Sequence, residues 1–294
     1  MVKIFSGSGV ALITPFKNNH VDFDALENQI LKQIRANTDA IVLLGTTGEP
    51  CTLYQQEKNE IISFAKGIIG DRAKLIVGIG SNSTEQVLDN IKFAESKNVD
   101  GLLVVTPYYN KANEDGIIAH YTKIANSTAL PIILYNVPSR TGVNLTPEIV
   151  LKLSDIPNII GIKEATSDIN QILKLFHLLK GKIAIYSGED SLNYIFLSLG
   201  AEGVISVTAN IAPKHVKALC DNAFKKNFFT CQHIHEKLYG LNKNLFLEVN
   251  PIPVKTALYM LGEIAEEFRL PLYKMTKENK KILQSTLQDF FNKT

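Results

Sequence analysis

The chain has no long apolar run, almost no net charge and only three cysteines, and each shortage removes a class of protein. No apolar stretch approaches the roughly 18 residues a membrane span needs, and the opening Met1-Val2-Lys3-Ile4-Phe5-Ser6-Gly7 lacks the apolar stretch of a signal peptide. A cytoplasmic protein with no membrane partner is expected. The 31 basic and 29 acidic side chains leave a formal charge of +2, so no global field draws in nucleic acid, and no nucleic-acid partner is expected. Cys51, Cys220 and Cys231 form no CxxC pair, and an odd count argues against a disulfide framework. They are read as free thiols in a reducing compartment. His233 and His235 lie two residues apart on a helical stretch, so they point to different faces, and no carboxylate or cysteine cluster accompanies them. No metal site is expected. Neither a Walker-type loop nor GxGxxG follows a strand, which leaves phosphate-loop nucleotide binding without support.

What the chain does have is size and rhythm. Its 294 residues, 45% hydrophobic and 20% charged, can bury a large core. Apolar, β-rich runs recur at 9–14, 40–45, 75–80, 101–106, 131–137, 159–165, 183–187 and 203–208. Segments with helical periodicity lie between them, several opening on capping residues: Asp22, Ser83 or Thr84, Thr146-Pro147, Asp168 and Ala212-Pro213. Strand then helix, eight times over, means right-handed βαβ crossovers in a parallel sheet. Near-continuous apolarity in Ile41-Val42-Leu43-Leu44 covers both faces, and eight units within about 225 residues favour closure into a (β/α)₈ TIM barrel, residues 1–227. Residues 228–294 carry no strand signal but three helical stretches, 234–247, 254–268 and 276–291, and are read as a C-terminal helical appendage.

Catalytic groups of such barrels lie at the C-terminal ends of strands, so the residues that follow each apolar run are decisive. The sixth run ends Gly161-Ile162-Lys163-Glu164-Ala165. Desolvation at a pocket mouth disfavours an ammonium and exposes the free amine as a carbonyl nucleophile, which makes Lys163 the candidate Schiff-base residue. The bland alternative is a strand-end lysine whose head snorkels to water. Context decides between them. The second run ends Gly45-Thr46-Thr47-Gly48-Glu49, whose hydroxyls and backbone N–H groups can hold a carboxylate or pass a proton, or simply cap a turn. The fourth ends Thr106-Pro107-Tyr108-Tyr109-Asn110 and the fifth Tyr135-Asn136-Val137-Pro138-Ser139-Arg140-Thr141-Gly142, delivering phenols and a guanidinium suited to carboxylate capture. An amine, phenols, paired hydroxyls and a guanidinium would seldom assemble at one barrel mouth by chance.

These stretches, GTTGE, TPYYN, YNVPSRTG and GIKEA, together with Asn250-Pro251-Ile252-Pro253-Val254-Lys255, resemble the dihydrodipicolinate synthases, essentially end to end. The strand lysine, the YN-P turn and the GxTGE loop are shared across a wider class I aldolase superfamily that includes the N-acetylneuraminate lyases. The second threonine, Tyr109 and above all Arg140 look specific to the synthases. The resemblance implies that Lys163 forms an imine with pyruvate, whose enamine adds to the aldehyde of L-aspartate 4-semialdehyde, with no metal or organic cofactor. It matches Tyr135, Thr46 and Tyr109 to a proton relay, Tyr109 being supplied across a subunit interface. Thr47 matches the hydroxyl that holds the pyruvate carboxylate, Arg140 the cation that binds the semialdehyde carboxylate, and Gly188 and Ile205 backbone positions near the substrate. It further implies a homotetramer built as a dimer of dimers.

Many of these relatives are inhibited by lysine at a subunit interface, and Asn82 and Tyr108 match residues of that pocket. Gln55, Lys58 and Gln86 stand where strongly inhibited relatives tend to carry histidine or glutamate. A cationic Lys58 would repel the effector's ammonium, so weak or absent feedback inhibition is expected, with Glu85 nearby acting against it. Two other readings remain. A pyruvate-dependent sugar-acid aldolase on the same barrel would keep Lys163 and Tyr135, but Arg140 suits a short acidic aldehyde better than a chain of neutral hydroxyls. A catalytically dead barrel acting as a scaffold or regulator finds no basic or helix-turn-helix-like segment to support it.

Overall fold

The computed structural model describes residues 2–292. Eight parallel strands, Gly7–Ala11, Ala40–Leu43, Lys74–Gly78, Gly101–Val105, Ile132–Asn136, Ile159–Glu164, Ala184–Ser187 and Gly203–Ser206, each pair with their sequence neighbours, and the eighth closes on the first. The barrel expected from the eight apolar runs is therefore present. Helices Phe23–Arg35, Gln55–Ile69, Thr84–Glu95, Glu114–Ala125, Pro147–Leu153, Ile169–Leu179, Asn193–Leu199 and Pro213–Phe224 return the chain between strands and follow the last. Their starts are fixed locally. Asp22, Ser83, Thr146 and Asp168 each accept a backbone N–H of the first turn, and Pro147 and Pro213 stand where an N–H would go unused.

Two apolar layers result. Phe5, Val42, Leu103, Ile133, Tyr135, Tyr186 and Ile205 fill the barrel interior. A larger layer between barrel and helices runs on without a break into Leu238, Leu241, Val254, Leu258, Leu283 and Leu287 of the C-terminal helices. Those helices are Phe228–Asn244, Ile252–Met260 and Lys277–Asn292. Buried polar bonds reinforce the join: Asn242 donates to the Asp190 carbonyl and accepts the Thr208 hydroxyl, tying the C-terminal region to the loops after the seventh and eighth strands.

Element boundaries shift from those read in the sequence at several places, and some of the differences have a clear local form. The first strand starts two residues early and stops at Ala11. A small hairpin, Phe16–Lys17 with His20–Val21, was not anticipated. The helical stretch expected over 254–268 ends at Met260, because Gly262 takes a left-handed φ of 73° and the chain turns off the helix axis. The segment beyond it covers one side of the barrel mouth, held by Gln29 and Lys32 on Glu263 and by the forked Arg269 on Glu57.

Candidate active site

A single inserted residue decides which way Lys163 faces. In the sixth strand Ile159 pairs with Ile132 and points to the outer layer, so strict alternation would send residues 161 and 163 outward as well. Instead Ile133 pairs with Gly161: Ile160 is bulged, and the parity flips. Gly161 and Lys163 then turn into the barrel, level with Tyr135 on one side and Tyr186 on the other, while Ile162 and Glu164 turn out. Lys163 is 5% exposed, and its Nζ lies 4.3 Å from the centroid of the Tyr135 ring. Among the described residues no carboxylate is within ion-pair distance of it. A Cβ built on Gly188 would lie 2.8 Å from Lys163 Cε and 2.9 Å from Cγ, so the lysine stem occupies the space this glycine leaves. Ile205 is buried in the same interior.

Behind Lys163, on the outer face of the strand, Glu164 is fully buried and accepts hydrogen bonds from Asn136, Gln171 and the Thr166 backbone. Burial pushes its carboxyl up to about 7, with those donors opposing. The bonds pin the ends of the fifth and sixth strands together, and with them Tyr135 and Lys163.

At the C-terminal mouth a cavity of about 310 Å³ is lined by Thr46, Glu49, Tyr108, Tyr135, Arg140 and Asn250, among others, with Pro271 and Leu272 supplied by the C-terminal segment. Lys163 and Thr47 stand just behind that lining. Each touches a residue that forms it, Tyr135 for Lys163 and Asn250 for Thr47. Arg140 projects from the short helix Pro138–Thr141 and donates to the Asn250 carbonyl at 2.9 Å. Tyr109 does not enter the cavity: it is 87% exposed, on a backbone held at φ 75°.

The GTTGE turn rests on a buried ion pair. Glu49, in a left-handed conformation at φ 54°, meets Lys255 Nζ at 2.6 Å, and Lys255 lies over the rings of Phe16 at 4.3 Å and Phe268 at 5.0 Å. Burial pushes the Glu49 carboxyl up and the Lys255 ammonium down, and the attraction between them opposes both shifts. Asn250, Glu49 and Lys255 were noticed in the sequence only as letters of motifs. Their partners lie about 200 positions away, beyond the reach of local pattern.

The candidate effector residues also come together. Tyr108 lies near Cys51, Ser81 and Asn82, and burial raises its phenol. Lys58, half-buried, lies near the same cysteine, and burial lowers its ammonium. Elsewhere, His233 bonds the Phe229 carbonyl while His235 packs on Tyr194, so the two rings do not converge. Among the described residues no group of three or more histidine, cysteine or carboxylate side chains could hold a metal ion, and no helix is long and apolar enough to cross a membrane.

Known proteins resemble the chain along nearly its whole length. The model of the dihydrodipicolinate synthetase family matches residues 4–290. A 4-hydroxy-tetrahydrodipicolinate synthase of Thermodesulfovibrio yellowstonii is 46% identical, over 97% of this chain and 98% of its own. The enzyme of the same name from Methanocaldococcus jannaschii is 45% identical, over 97% and 99%. Among solved structures, the chloride-inhibited dihydrodipicolinate synthase of Acinetobacter baumannii complexed with pyruvate superposes with a TM-score of 0.96 at 41% identity, covering 98% of this chain and 99% of its own.

Proposed function

The chain belongs to the dihydrodipicolinate synthetase family, and from that premise we propose how its residues carry the reaction. It condenses pyruvate with L-aspartate 4-semialdehyde to give 4-hydroxy-tetrahydrodipicolinate, an early step toward diaminopimelate and lysine. The Lys163 amine attacks the pyruvate keto carbon, water leaves, and an imine forms. Loss of a methyl proton gives the enamine, whose carbon adds to the semialdehyde's aldehyde. The semialdehyde's amino group then attacks the imine carbon, closes the ring and frees the lysine. The observation that carries this reading is Lys163 itself, turned into the barrel by a bulge, buried, with no carboxylate paired to it among the described residues and a phenol ring against its Nζ.

Proton transfers fall to Tyr135, Thr46 and Tyr109. Tyr109 stands almost wholly outside its own subunit, which fits delivery into a partner's site and supports a tight dimer, two of which make the tetramer. Thr47 holds the pyruvate carboxylate. Arg140, at the cavity wall, takes the semialdehyde's carboxylate. Gly188 and Ile205 shape the space around the imine, and Asn82, Tyr108 and Lys58 form the effector cleft. The cytoplasm is the compartment that suits three free thiols and these small substrates.

Steady-state assay of wild type and Arg140→Ala with both substrates tests the division of labour. The variant should lose at least about 100-fold in kcat/KM for the semialdehyde, as expected when an ion-paired anion contact is removed, while still forming the imine with pyruvate. Equal use of polyhydroxylated aldehydes by the wild type would instead favour a sugar-acid aldolase.

A further inference from the structure

We propose that Asn250 is a positioning residue that sets the proton direction of the Thr47 hydroxyl, turning it into a committed donor for the pyruvate carboxylate. The inference rests on the reading of Thr47 given above. Asn250 is 6% exposed, lines the cavity, and reaches Thr47 from the segment leading into helix Ile252–Met260. Its Nδ2 donates to Thr47 Oγ1 at 2.9 Å. Thr47 is itself buried, and among the described residues its hydroxyl donates to no acceptor.

A hydroxyl carries one proton and two lone pairs. Left alone, it rotates and can present either to an incoming anion. A lone pair facing a carboxylate repels it, whereas the proton attracts it. An amide hydrogen fixed on one lone pair removes that freedom: rotation about the C–O bond must carry the proton away from Asn250. Accepting one hydrogen bond also polarises the hydroxyl for donating the next.

The same residue holds the second anion-binding group by a different atom. Arg140 Nη2 donates to the Asn250 backbone carbonyl at 2.9 Å. Side chain and main chain of one residue therefore serve two sites: the amide governs Thr47, and the carbonyl governs Arg140. Changing the side chain leaves the carbonyl in place, which separates positioning from general damage to the segment.

The test is a double-mutant cycle in the full-length enzyme: wild type, Asn250→Ala, Thr47→Val and the double variant, with Asn250→Ser as a milder replacement should the alanine protein fold poorly. Thr47→Val should raise the pyruvate KM roughly 10- to 100-fold, the range for losing a hydrogen bond to a charged group. Asn250→Ala or Asn250→Ser should raise it about 5- to 10-fold, with the semialdehyde KM unchanged within about twofold and kcat affected less than KM. In the Thr47→Val background the Asn250 change should add almost nothing. Multiplicative effects in the cycle, or a semialdehyde KM that rises in step with the pyruvate KM, would overturn the proposal while leaving the role of Thr47 standing. A normal pyruvate KM in Thr47→Val would remove the role of Thr47 and the proposal together.

Discussion

Replacing Lys255 by methionine asks how far the barrel mouth depends on the ion pair buried beneath it. Lys255 and Glu49 are each 1% exposed at their side chains, and among the described residues Glu49 Oε2 already lacks a partner. Methionine keeps the length of the stem against Phe16 and Phe268 but leaves both Glu49 oxygens without a donor in an apolar surrounding. Removing one partner of a buried pair costs about 3–5 kcal/mol, because the other charge stays buried and unmatched. For a chain of this size that is a fall in Tm on the order of 10 °C. Removing both charges is another matter, since buried pairs are often replaced by neutral groups at little cost. The assay is thermal unfolding by circular dichroism at pH 7 and one protein concentration, for wild type, Lys255→Met, Glu49→Gln and the double variant. Lys255→Met should melt lowest, and the double variant should recover most of the loss. Because Glu49 ends the turn that carries Thr46 and Thr47, kcat/KM should follow the same order. A Lys255→Met protein that melts within about 2 °C of wild type, or a double variant no more stable than Lys255→Met, would refute the reasoning.

Three further outcomes are expected. Gly188→Ala places a methyl where the Lys163 stem now lies, 2.8 Å from Cε, so kcat should fall at least about 100-fold from misplacement of the nucleophile while Tm changes little; an active Gly188→Ala enzyme would contradict the packing described. Glu164, raised from 4.5 to about 7 by burial, is more easily protonated in the folded state, so its contribution is complete below pH 4.5 and lost as pH rises through 7. Urea unfolding from pH 4.5 to 8 should show wild type losing about 3 kcal/mol relative to Glu164→Gln across that window, and parallel curves would exclude the effect. With Lys58 in the proposed effector cleft, L-lysine should inhibit only weakly in a steady-state assay, and micromolar inhibition would refute the charge argument.

Much of the architecture was legible because it is local. Eight apolar runs with turn and cap residues between them state a parallel barrel, and Lys163 stood out as a cation at the end of such a run. Its orientation was not legible. Ile159-Ile160-Gly161-Ile162 reads the same with or without a bulge, and only the register against Ile132 and Ile133 shows that Ile160 is the extra residue. The helical stretch over 254–268 contains a stop signal in Gly262, but apolar residues continue past it, and one of them, Phe268, instead covers Lys255. Asn250, Glu49 and Lys255 could be read as motif letters but not as partners, since nothing local ties position 250 to 47 or 255 to 49.

The most direct test of the chemistry is to incubate the enzyme with pyruvate and borohydride, measure the intact mass, and map the labelled peptide. One reduced pyruvyl adduct per chain on Lys163, absent from Lys163→Ala, is the predicted result. A label on any other side chain, or none on the wild type, would contradict the account.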